Sequence, residues 1–461
     1  MVTDLNSHSG TTAPDEPYLS VVATARNDNH GGDLSRRMQI FVDALAEQCE
    51  RHELDAELVI VEWNPPLDRP RLADVLRWPV EGSRCTIRIV EVPPELHATL
   101  EHADRLPLFQ MIAKNVGIRR ARGRFVLATN VDLLFSDELM SFIAARGLKS
   151  GQLYRTDRYD ARSELEVGAP VADQLAYCRR NLIRICKREG TYDVESGRFY
   201  RIYENLRVPL WLAPWIRLGR LADRKVELLT WRLAIGVFRL FRLVVRGGRF
   251  LVLTIYAGVR ALRGRRAHRV VRWFMRERVA LAGVVRRAMG LWRLRLAAAE
   301  QAERRSVAPA RWRFLRQAWL SERSRLRLHT NACGDFTLAS RELWQRTGAY
   351  PELELFSMHL DSLFLYQAHY TGARERFLPF PVYHLEHESG FKPDDKSIDQ
   401  LNDRLERKAI PQISNEQFLT WVIQMYRTKR PVFTAPANWG FADEDLPETA
   451  VASARTMDVV A

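Results

Sequence analysis

The sequence is poor in cysteine and has no signal-peptide-like N-terminus. It has five cysteines, scattered over 461 residues without a C-x-x-C pair: Cys49, Cys85, Cys178, Cys186 and Cys333. That pattern argues against a disulfide framework and against a structural zinc site. The polar N-terminus lacks the apolar core of a secretory signal, so we expect a reducing, cytoplasmic compartment. The 46% hydrophobic content excludes a wholly disordered chain, and the length predicts about two to four structural units.

Excess positive charge is absent from most of the chain. The formal net charge is +14, yet residues 206–330 alone hold 30 Lys and Arg against 6 Asp and Glu, a net of +24. The remainder holds 40 basic and 50 acidic residues, a net of −10. This shift in composition predicts a basic segment, 206–328, inserted between two mildly acidic flanks.

Strand and helix patterns alternate in the first flank. Short apolar and β-branched runs predict strands at 18–25, 57–61, 86–90 and 124–128. Helical spacing of apolar residues predicts helices over 34–51 and 109–120. The alternation indicates an α/β fold with a doubly wound, mainly parallel sheet.

The ends of these predicted strands are polar. The residues found there are Arg26, Asn27, Asp28, Glu62, Asn130 and Asp132. Ligands bind at the carboxyl ends of strands in such sheets. A carboxylate like that of Asp132 can bind a hard cation that bridges phosphates, because such cations prefer oxygen ligands. The alternative for Asp132 is the start of a turn or a cap for the helix beginning near Ser136, and Glu62 has the same kind of alternative.

The order of these pieces resembles the nucleotide-binding half of family-2 glycosyltransferases with the GT-A fold. The resemblance covers about residues 18–159 and rests on SVVATARND, LVIVE, KNVGI and TNVD in that order. It implies that the first strand and its loop, through Thr24, Arg26 and Asp28, hold a nucleoside together with Glu62. It places Lys114 close to that nucleoside.

The same resemblance implies a divalent metal, Mn²⁺ or Mg²⁺, on the diphosphate of a nucleotide-sugar donor. An Asp-x-Asp sequence binds that metal in the family. Here Asn130 replaces the first acid and Asp132 is the remaining carboxylate. Asn130 is therefore expected on the donor side, and Asp132 is expected to bind the metal.

In the second flank the pattern predicts a turn over 333–336 that enters a strand, helices over 341–347 and 359–370, and a strand over 377–385. This stretch, with CGDFTLASRELWQRTGAYPE at its start, resembles the carboxyl half of galactosyltransferase-type GT-A enzymes. The resemblance implies that Asp361 is the general base that takes the acceptor hydroxyl proton. It places three residues on the acceptor side: Gly334, Asp335 and His359.

A late histidine completes the metal site in that family. Two candidates close the last predicted strand, His384 and His387. In an ideal strand these two side chains face opposite ways, so we expect only one of them to be the ligand, with a slight preference for His387. The alternative is a surface strand end with two ordinary histidines. A mixed Asp and His site suits manganese or magnesium.

The basic segment lies outside both resemblances. Between residues 231 and 262 its arginines occupy about a quarter of a helical wheel, which leaves a wide apolar face. The longest uncharged run, 250–259, is far shorter than the roughly 18–20 residues of a membrane span. We expect helices that lie on an anionic membrane surface. The alternatives are a helical hairpin packed on the core or another subunit, and a nucleic-acid-binding arm, for which no motif is present.

Together the two resemblances imply a metal-assisted glycosyltransferase, and the basic segment predicts its location at the inner face of the plasma membrane. It would move a sugar from a nucleotide-sugar donor to a hydroxyl of a glycan or lipid-linked acceptor. The predicted parts are a disordered tail (1–17), a donor half (18–165), a connection (166–205), the insertion (206–328), an acceptor half (329–400), a helix and loop (401–445) and a disordered tail (446–461). One alternative is a GT-A-like scaffold without catalysis, which Asn130 keeps open. The other is a nucleotidyltransferase, against which the lack of a Gly-rich, Lys-containing loop counts.

Overall fold

The computed structural model describes residues 16–79, 82–201, 328–387 and 395–452. Its strands are β1 (Leu19–Ala25), β2 (Ala56–Trp63), β3 (Cys85–Val92), β4 (Phe125–Thr129), β5 (Leu133–Phe135), β6 (Gln152–Ala161), β7 (Leu182–Lys187), β8 (Gly190–Asp193), β9 (Phe199–Arg201), β10 (Phe336–Ser340), β11 (Arg374–Leu385) and β12 (Glu448–Ala452). Its helices are α1 (Leu34–Arg51), α2 (Leu72–Val75), α3 (Pro94–His97), α4 (Gln110–Arg120), α5 (Asp137–Ala144), α6 (Val171–Arg180), α7 (Arg341–Thr347), α8 (Leu360–Tyr370), α9 (Asp395–Arg407) and α10 (Asn415–Thr428). The predicted insertion lies outside these residues except for Leu328, and the predicted tail 1–17 lies outside them except for Glu16 and Pro17.

The described strands form one mixed sheet in an α/β fold. Its main path runs β12-β3-β2-β1-β4-β10-β6-β7-β8-β9, and β11 pairs with β5 and β6. β1 is parallel to β2 on one side and to β4 on the other. The chain thus leaves β1 towards β2 and β3, then returns to the opposite side of β1 as β4. This reversal creates a topological switch point between β1 and β4, where α/β sheets leave a crevice at their carboxyl edge.

Strands from the second flank complete that edge. β10 runs antiparallel to β4 and pairs Phe336 with Thr129, so the turn before β10 lies beside the end of β4. β11 runs antiparallel to β5 and parallel to β6, and this register places His384 opposite both Leu133 and Asp160. Segments that are far apart in sequence therefore meet where β4 ends.

Two apolar layers cover the sheet. On one face α1 and α5 pack through side chains such as Phe41 and Leu139. On the other face α4, α7, α8 and α10 form a second core around the fully buried Trp344. Trp344 stacks on Phe364 with 4.4 Å between ring centroids, and its indole N–H donates to the carbonyl of Val126. Both faces of the central strands are thereby covered by apolar side chains, which suits their nearly uninterrupted apolar runs.

The alternation of strands and helices predicted for the first flank is confirmed, and α1 and α7 have their predicted bounds. One other prediction is wrong. The predicted disordered tail from residue 446 instead includes β12, which pairs antiparallel with β3 and carries a 2.7 Å ion pair between Glu448 and Arg88. The predicted connection 166–205 includes α6 and the strands β7, β8 and β9, which extend the sheet.

The region near the C-terminus contains two helices, α9 and α10, where the sequence suggested one amphipathic stretch. Pro411 interrupts the pattern, and the Ser414 hydroxyl caps α10 by accepting from the backbone N–H of Gln417 at 3.1 Å. Trp439 is 4% exposed and lies under the guanidinium of Arg119, so it packs on the core. Among the described helices, none combines the length and apolar character that crossing a bilayer requires.

Candidate metal centre and its polar surroundings

Three side chains predicted as metal ligands meet at the carboxyl edge of the sheet. Asp132 follows β4, while His384 lies near the end of β11 and His387 two residues beyond it. The Asp132 Oδ2 atom lies 3.1 Å from Nε2 of His387 and 3.7 Å from Nε2 of His384. Both histidines belong to this cluster, although the alternation of an ideal strand would turn their side chains to opposite sides. The reason is that β11 ends at Leu385, and the chain beyond it no longer alternates sides.

The cluster fits a metal ion in its spacing and in its unsatisfied atoms. Ligand atoms that are about 2.1 Å from one ion lie about 3–3.5 Å from one another, close to the distances in this cluster. The second oxygen of Asp132, Oδ1, is buried and makes no hydrogen bond within the described residues. Since buried polar atoms are nearly always paired, this oxygen is suited to take a cation as its partner. These groups can therefore hold a metal ion.

Strong charge coupling joins the same three residues. Burial raises the pKa of Asp132, but His384 and His387 outweigh burial and hold the pKa well below its ordinary value. Burial lowers the pKa of His384, but the Asp132 carboxylate, with a smaller contribution from Asp160, outweighs burial and raises the pKa to about 10. At neutral pH the carboxylate is thus ionised and the His384 imidazole is protonated. A divalent cation that binds here would displace that proton.

The loop after β1 covers the cluster. Gly31 has a left-handed backbone with φ of +70°, and a Cβ at this position would collide with Nδ1 of His387. Arg37 of α1, which is 2% exposed, donates to the carbonyl of His30 at 2.8 Å and holds the loop. Its Nε lies 3.9 Å from Oδ2 of Asp132. The loop, the arginine and the histidine therefore form a closely fitted wall on one side of the cluster.

Lys114 and Asn130 form the centre of a neighbouring buried network. The Lys114 ammonium donates to Oδ1 of Asn130 at 2.8 Å and to the carbonyl of Gly334 at 2.6 Å. The amide N–H₂ of Asn130 donates to Asp335, whose other oxygen binds Arg158. Burial lowers the pKa of Lys114 to about 8, against the opposing effect of nearby carboxylates including Asp335. Both ends of the Asn130 amide are therefore occupied by protein groups.

Asp361, the predicted base, lies beside the turn that precedes β10. Its Oδ2 accepts the backbone N–H of Gly334 at 2.8 Å, and its Oδ1 accepts that of Ser362 at 2.7 Å. These bonds join the start of α8 to the turn and leave the carboxylate with further lone pairs for an acceptor hydroxyl. His359 has a different environment: its ring stacks on Phe418, and its Nε2 lies 2.8 Å from Oδ1 of Asn415, so its side chain lies against α10.

The predicted nucleoside ligands lie at the ends of β1 and β2. The Thr24 hydroxyl donates to the carbonyl of Val61 at 3.3 Å. Arg26 donates to the Asn64 carbonyl at 2.7 Å and to Asp28 at 3.0 Å.

Glu62 is buried at the end of β2. Both oxygens of its carboxylate accept the Leu72 N–H at 3.1 Å. Burial raises its pKa to about 7, although the Leu72 bond acts in the opposite direction. Glu62 is therefore a carboxyl group that titrates near neutrality.

Several charged residues around the cluster were not predicted. They are Arg37, Arg158, Asp160, Arg184 and Glu386. One signal was present in the sequence, because charged residues recur within β6 in a stretch of strand-like composition, YRTDRYDA. Buried strands seldom carry such charges unless they are paired.

Comparison with known proteins gave no match: no family model matches the chain, and no curated protein matches it.

Proposed function

We propose that this chain is a metal-dependent glycosyltransferase of the GT-A class, which transfers a sugar from a nucleotide-sugar donor to an acceptor hydroxyl. The observation that carries the proposal is the group of Asp132, His384 and His387 at the carboxyl edge, next to the switch point between β1 and β4. A cation held there is suitably placed for the diphosphate of a ligand in the switch-point crevice. The resemblances in both flanks support the same function.

Most of the predicted residues have a role in this proposal. Asp132 and the two histidines bind Mn²⁺ or Mg²⁺, which neutralises the leaving diphosphate. The nucleoside is bound by four residues at the carboxyl ends of β1 and β2 and in the loop after β1, namely Thr24, Arg26, Asp28 and Glu62. Asp361 accepts the proton of the attacking hydroxyl, a step that needs a carboxylate within hydrogen-bond distance. Lys114 and Asn130 hold the turn at Gly334 next to that carboxylate.

A membrane-surface location is the second part of the proposal. It rests on the net charge of +24 in residues 206–330, since segments rich in arginine and apolar residues bind anionic headgroups. Glycan or lipid-linked acceptors are the matching partners. The purified chain should co-sediment with vesicles that contain anionic lipid and not with neutral vesicles. Absence of binding at low salt would refute this part alone.

Donor turnover tests the enzymatic proposal. The chain is incubated with a panel of nucleotide sugars and Mn²⁺, and release of the nucleoside diphosphate is measured. Asp132→Asn should lower turnover by roughly 100-fold or more, because the carboxylate is the one anionic ligand of the cluster. Asp361→Asn should abolish turnover and leave donor affinity unchanged. Full activity of either variant would contradict its assigned role.

Two adjacent glycines offer a matched pair for an assay of Mn²⁺ binding. Gly31 and Gly32 have similar left-handed backbones, with φ of +70° and +73°, but only Gly31 faces His387. Gly31→Ala should weaken Mn²⁺ binding by roughly 10-fold, because the added methyl group displaces a ligand. Gly32→Ala, whose methyl group meets no atom within 4 Å, carries the same backbone strain without that displacement. Equal metal affinities of the two variants would argue against His387 as a ligand.

A second candidate function is a binding or scaffold protein with this fold and no catalysis. Asn130 favours it, because the amide stands where the family has an acid and its two ends are already bonded within the protein. This candidate predicts binding of a nucleotide-sugar donor, seen as a rise in melting temperature, with no release of diphosphate under any condition.

A further inference from the structure

We infer that Asp160 is a positioning residue for the candidate metal centre, where it orients the His384 ring so that Nε2 faces Asp132. The inference rests on the metal site of the proposed function. It assigns a role to a fully buried carboxylate that the function does not otherwise use.

The sheet register brings the two residues together. β6 and β11 run parallel, and His384 pairs with Asp160 across them. Nδ1 of His384 lies 3.4 Å from Oδ1 of Asp160, while Nε2 of the same ring lies 3.7 Å from Oδ2 of Asp132. The imidazole thus lies between two carboxylates, with one nitrogen towards each. Nδ1 and Oδ1 are both buried, and neither makes a well-aligned hydrogen bond to any described residue, so each is available as a partner for the other.

Asp160 is poorly suited to bind the metal itself. Arg158 Nε lies 2.7 Å from its Oδ1, and Arg184 Nε donates to its Oδ2 at 2.9 Å. Arg184 also pairs with Glu386, so the grouping of Asp160, His384 and Glu386 is an ion-pair network that already contains two cations. A divalent ion would have to displace these guanidinium groups. The carboxylate that faces the first cluster, Asp132, has no such contact closer than 3.9 Å to a guanidinium among the described residues.

The arginines instead fix Asp160 as an acceptor. A carboxylate held from two sides cannot rotate away from Nδ1 of His384. A histidine that donates its Nδ1–H to a fixed carboxylate presents the Nε2 lone pair to a metal, and such partners set both the tautomer and the ring orientation. Asp160 therefore supplies the orientation, and Asp132 with the two histidines supplies the ligands.

Metal affinity of the full chain tests this role. Mn²⁺ binding is titrated by electron paramagnetic resonance of the free ion, and the nitrogen couplings of bound Mn²⁺ are recorded by pulsed methods. Asp160→Ala should weaken binding roughly 10- to 100-fold and reduce the imidazole coupling. Asp160→Asn keeps one oxygen that can accept from Nδ1, so it should lose less affinity than the alanine variant but more than about threefold.

Asp157→Asn is the matched control. Asp157 lies on the same strand and contacts another buried histidine, His329, at 2.8 Å, so its loss disturbs a similar pair away from the cluster. It should leave Mn²⁺ affinity within about threefold of wild type, even if the protein is less stable. Should Asp160→Ala not fold, the asparagine variant decides the question by affinity and coupling.

Three results would overturn the inference. They are wild-type affinity in the Asp160 variants, equal losses in the alanine and asparagine variants, and an equal loss in the Asp157 control. The inference can fail independently of the proposed function. Wild-type protein that binds Mn²⁺ while the Asp160 variants bind it equally refutes only the role of Asp160. Wild-type protein that binds no Mn²⁺ refutes the metal site itself.

Discussion

Glu62 makes the stability of this protein depend on pH in a direction opposite to that of most carboxylates. Its side chain is buried at the end of β2, and burial raises its pKa from 4.5 to about 7. The native state therefore keeps its proton to higher pH than the unfolded state does. Below about pH 4.5 Glu62 is neutral in both the native and the unfolded state, so it does not make the free energy of unfolding depend on pH. Between pH 4.5 and 7 the unfolded chain releases the proton first, so stability falls as pH rises.

The magnitude follows from the size of the shift. At about 1.4 kcal/mol per pKa unit, the rise corresponds to a loss of about 3 kcal/mol that is complete somewhat above pH 7. Glu62→Gln removes this loss, because glutamine stays neutral and its amide oxygen can still accept the Leu72 N–H. The difference in unfolding free energy between variant and wild type should therefore grow by about 3 kcal/mol in favour of the variant from pH 4.5 to pH 8.

Urea unfolding followed by tryptophan fluorescence across this pH range measures that difference. Only the change of this difference with pH is compared. Any cost of placing an amide at position 62 that does not depend on pH therefore cancels. Glu166→Gln, at an exposed position, is the control and should show no comparable growth. A difference that stays flat within about 0.5 kcal/mol between the two pH values would refute the argument that burial keeps Glu62 protonated.

Other parts of the structure give further predictions. Gly440→Ala should lower stability by about 3 kcal/mol in urea unfolding, because a Cβ there would lie 2.7 Å from the Asn115 carbonyl oxygen. Gly197→Ala, with nearly the same φ but open space around it, should cost only about 1 kcal/mol, and equal costs would remove the steric explanation. Asn130→Asp should lower stability by roughly 2 kcal/mol, because it places a second carboxylate against that of Asp335. It should not tighten Mn²⁺ binding. A gain in Mn²⁺ affinity at unchanged stability would contradict this explanation. Mn²⁺ at about 100 times its dissociation constant should stabilise the chain by about 2.7 kcal/mol, and chelation should reverse the effect; an unchanged melting temperature would contradict metal binding.

The sequence predicted best those features that depend on local pattern. The central strands have long apolar runs and α1 has clear helical spacing, so their existence and most of their bounds could be read directly. β12 could not, because ETAVA is a weak strand sequence whose partners, β3 and the ion-paired Arg88, lie about 360 positions away. Partners at such separations leave no local signal.

The candidate site also contains residues that could be predicted from the sequence and one that could not. The cluster of Asp132, His384 and His387 could be predicted because their order matches a known arrangement. Asp160 could not be assigned a role, because it meets His384 only through the parallel register of β6 and β11. The sequence alone suggested that the two histidines face apart. The end of β11 at Leu385, which brings both to one side, is a property of the folded edge.

Asn130 shows how the neighbours of a residue decide its chemical type. Its amide oxygen accepts from Lys114 and its amide N–H₂ donates to Asp335, so this position needs a group that both accepts and donates. An ionised aspartate can only accept, and its negative charge would face that of Asp335. The negative charge that balances the buried Lys114 is thus supplied by Asp335 from the turn before β10 rather than by position 130. The absence of an acid at position 130 is therefore explained by this network, and it is compatible with a metal held by Asp132 and the two histidines.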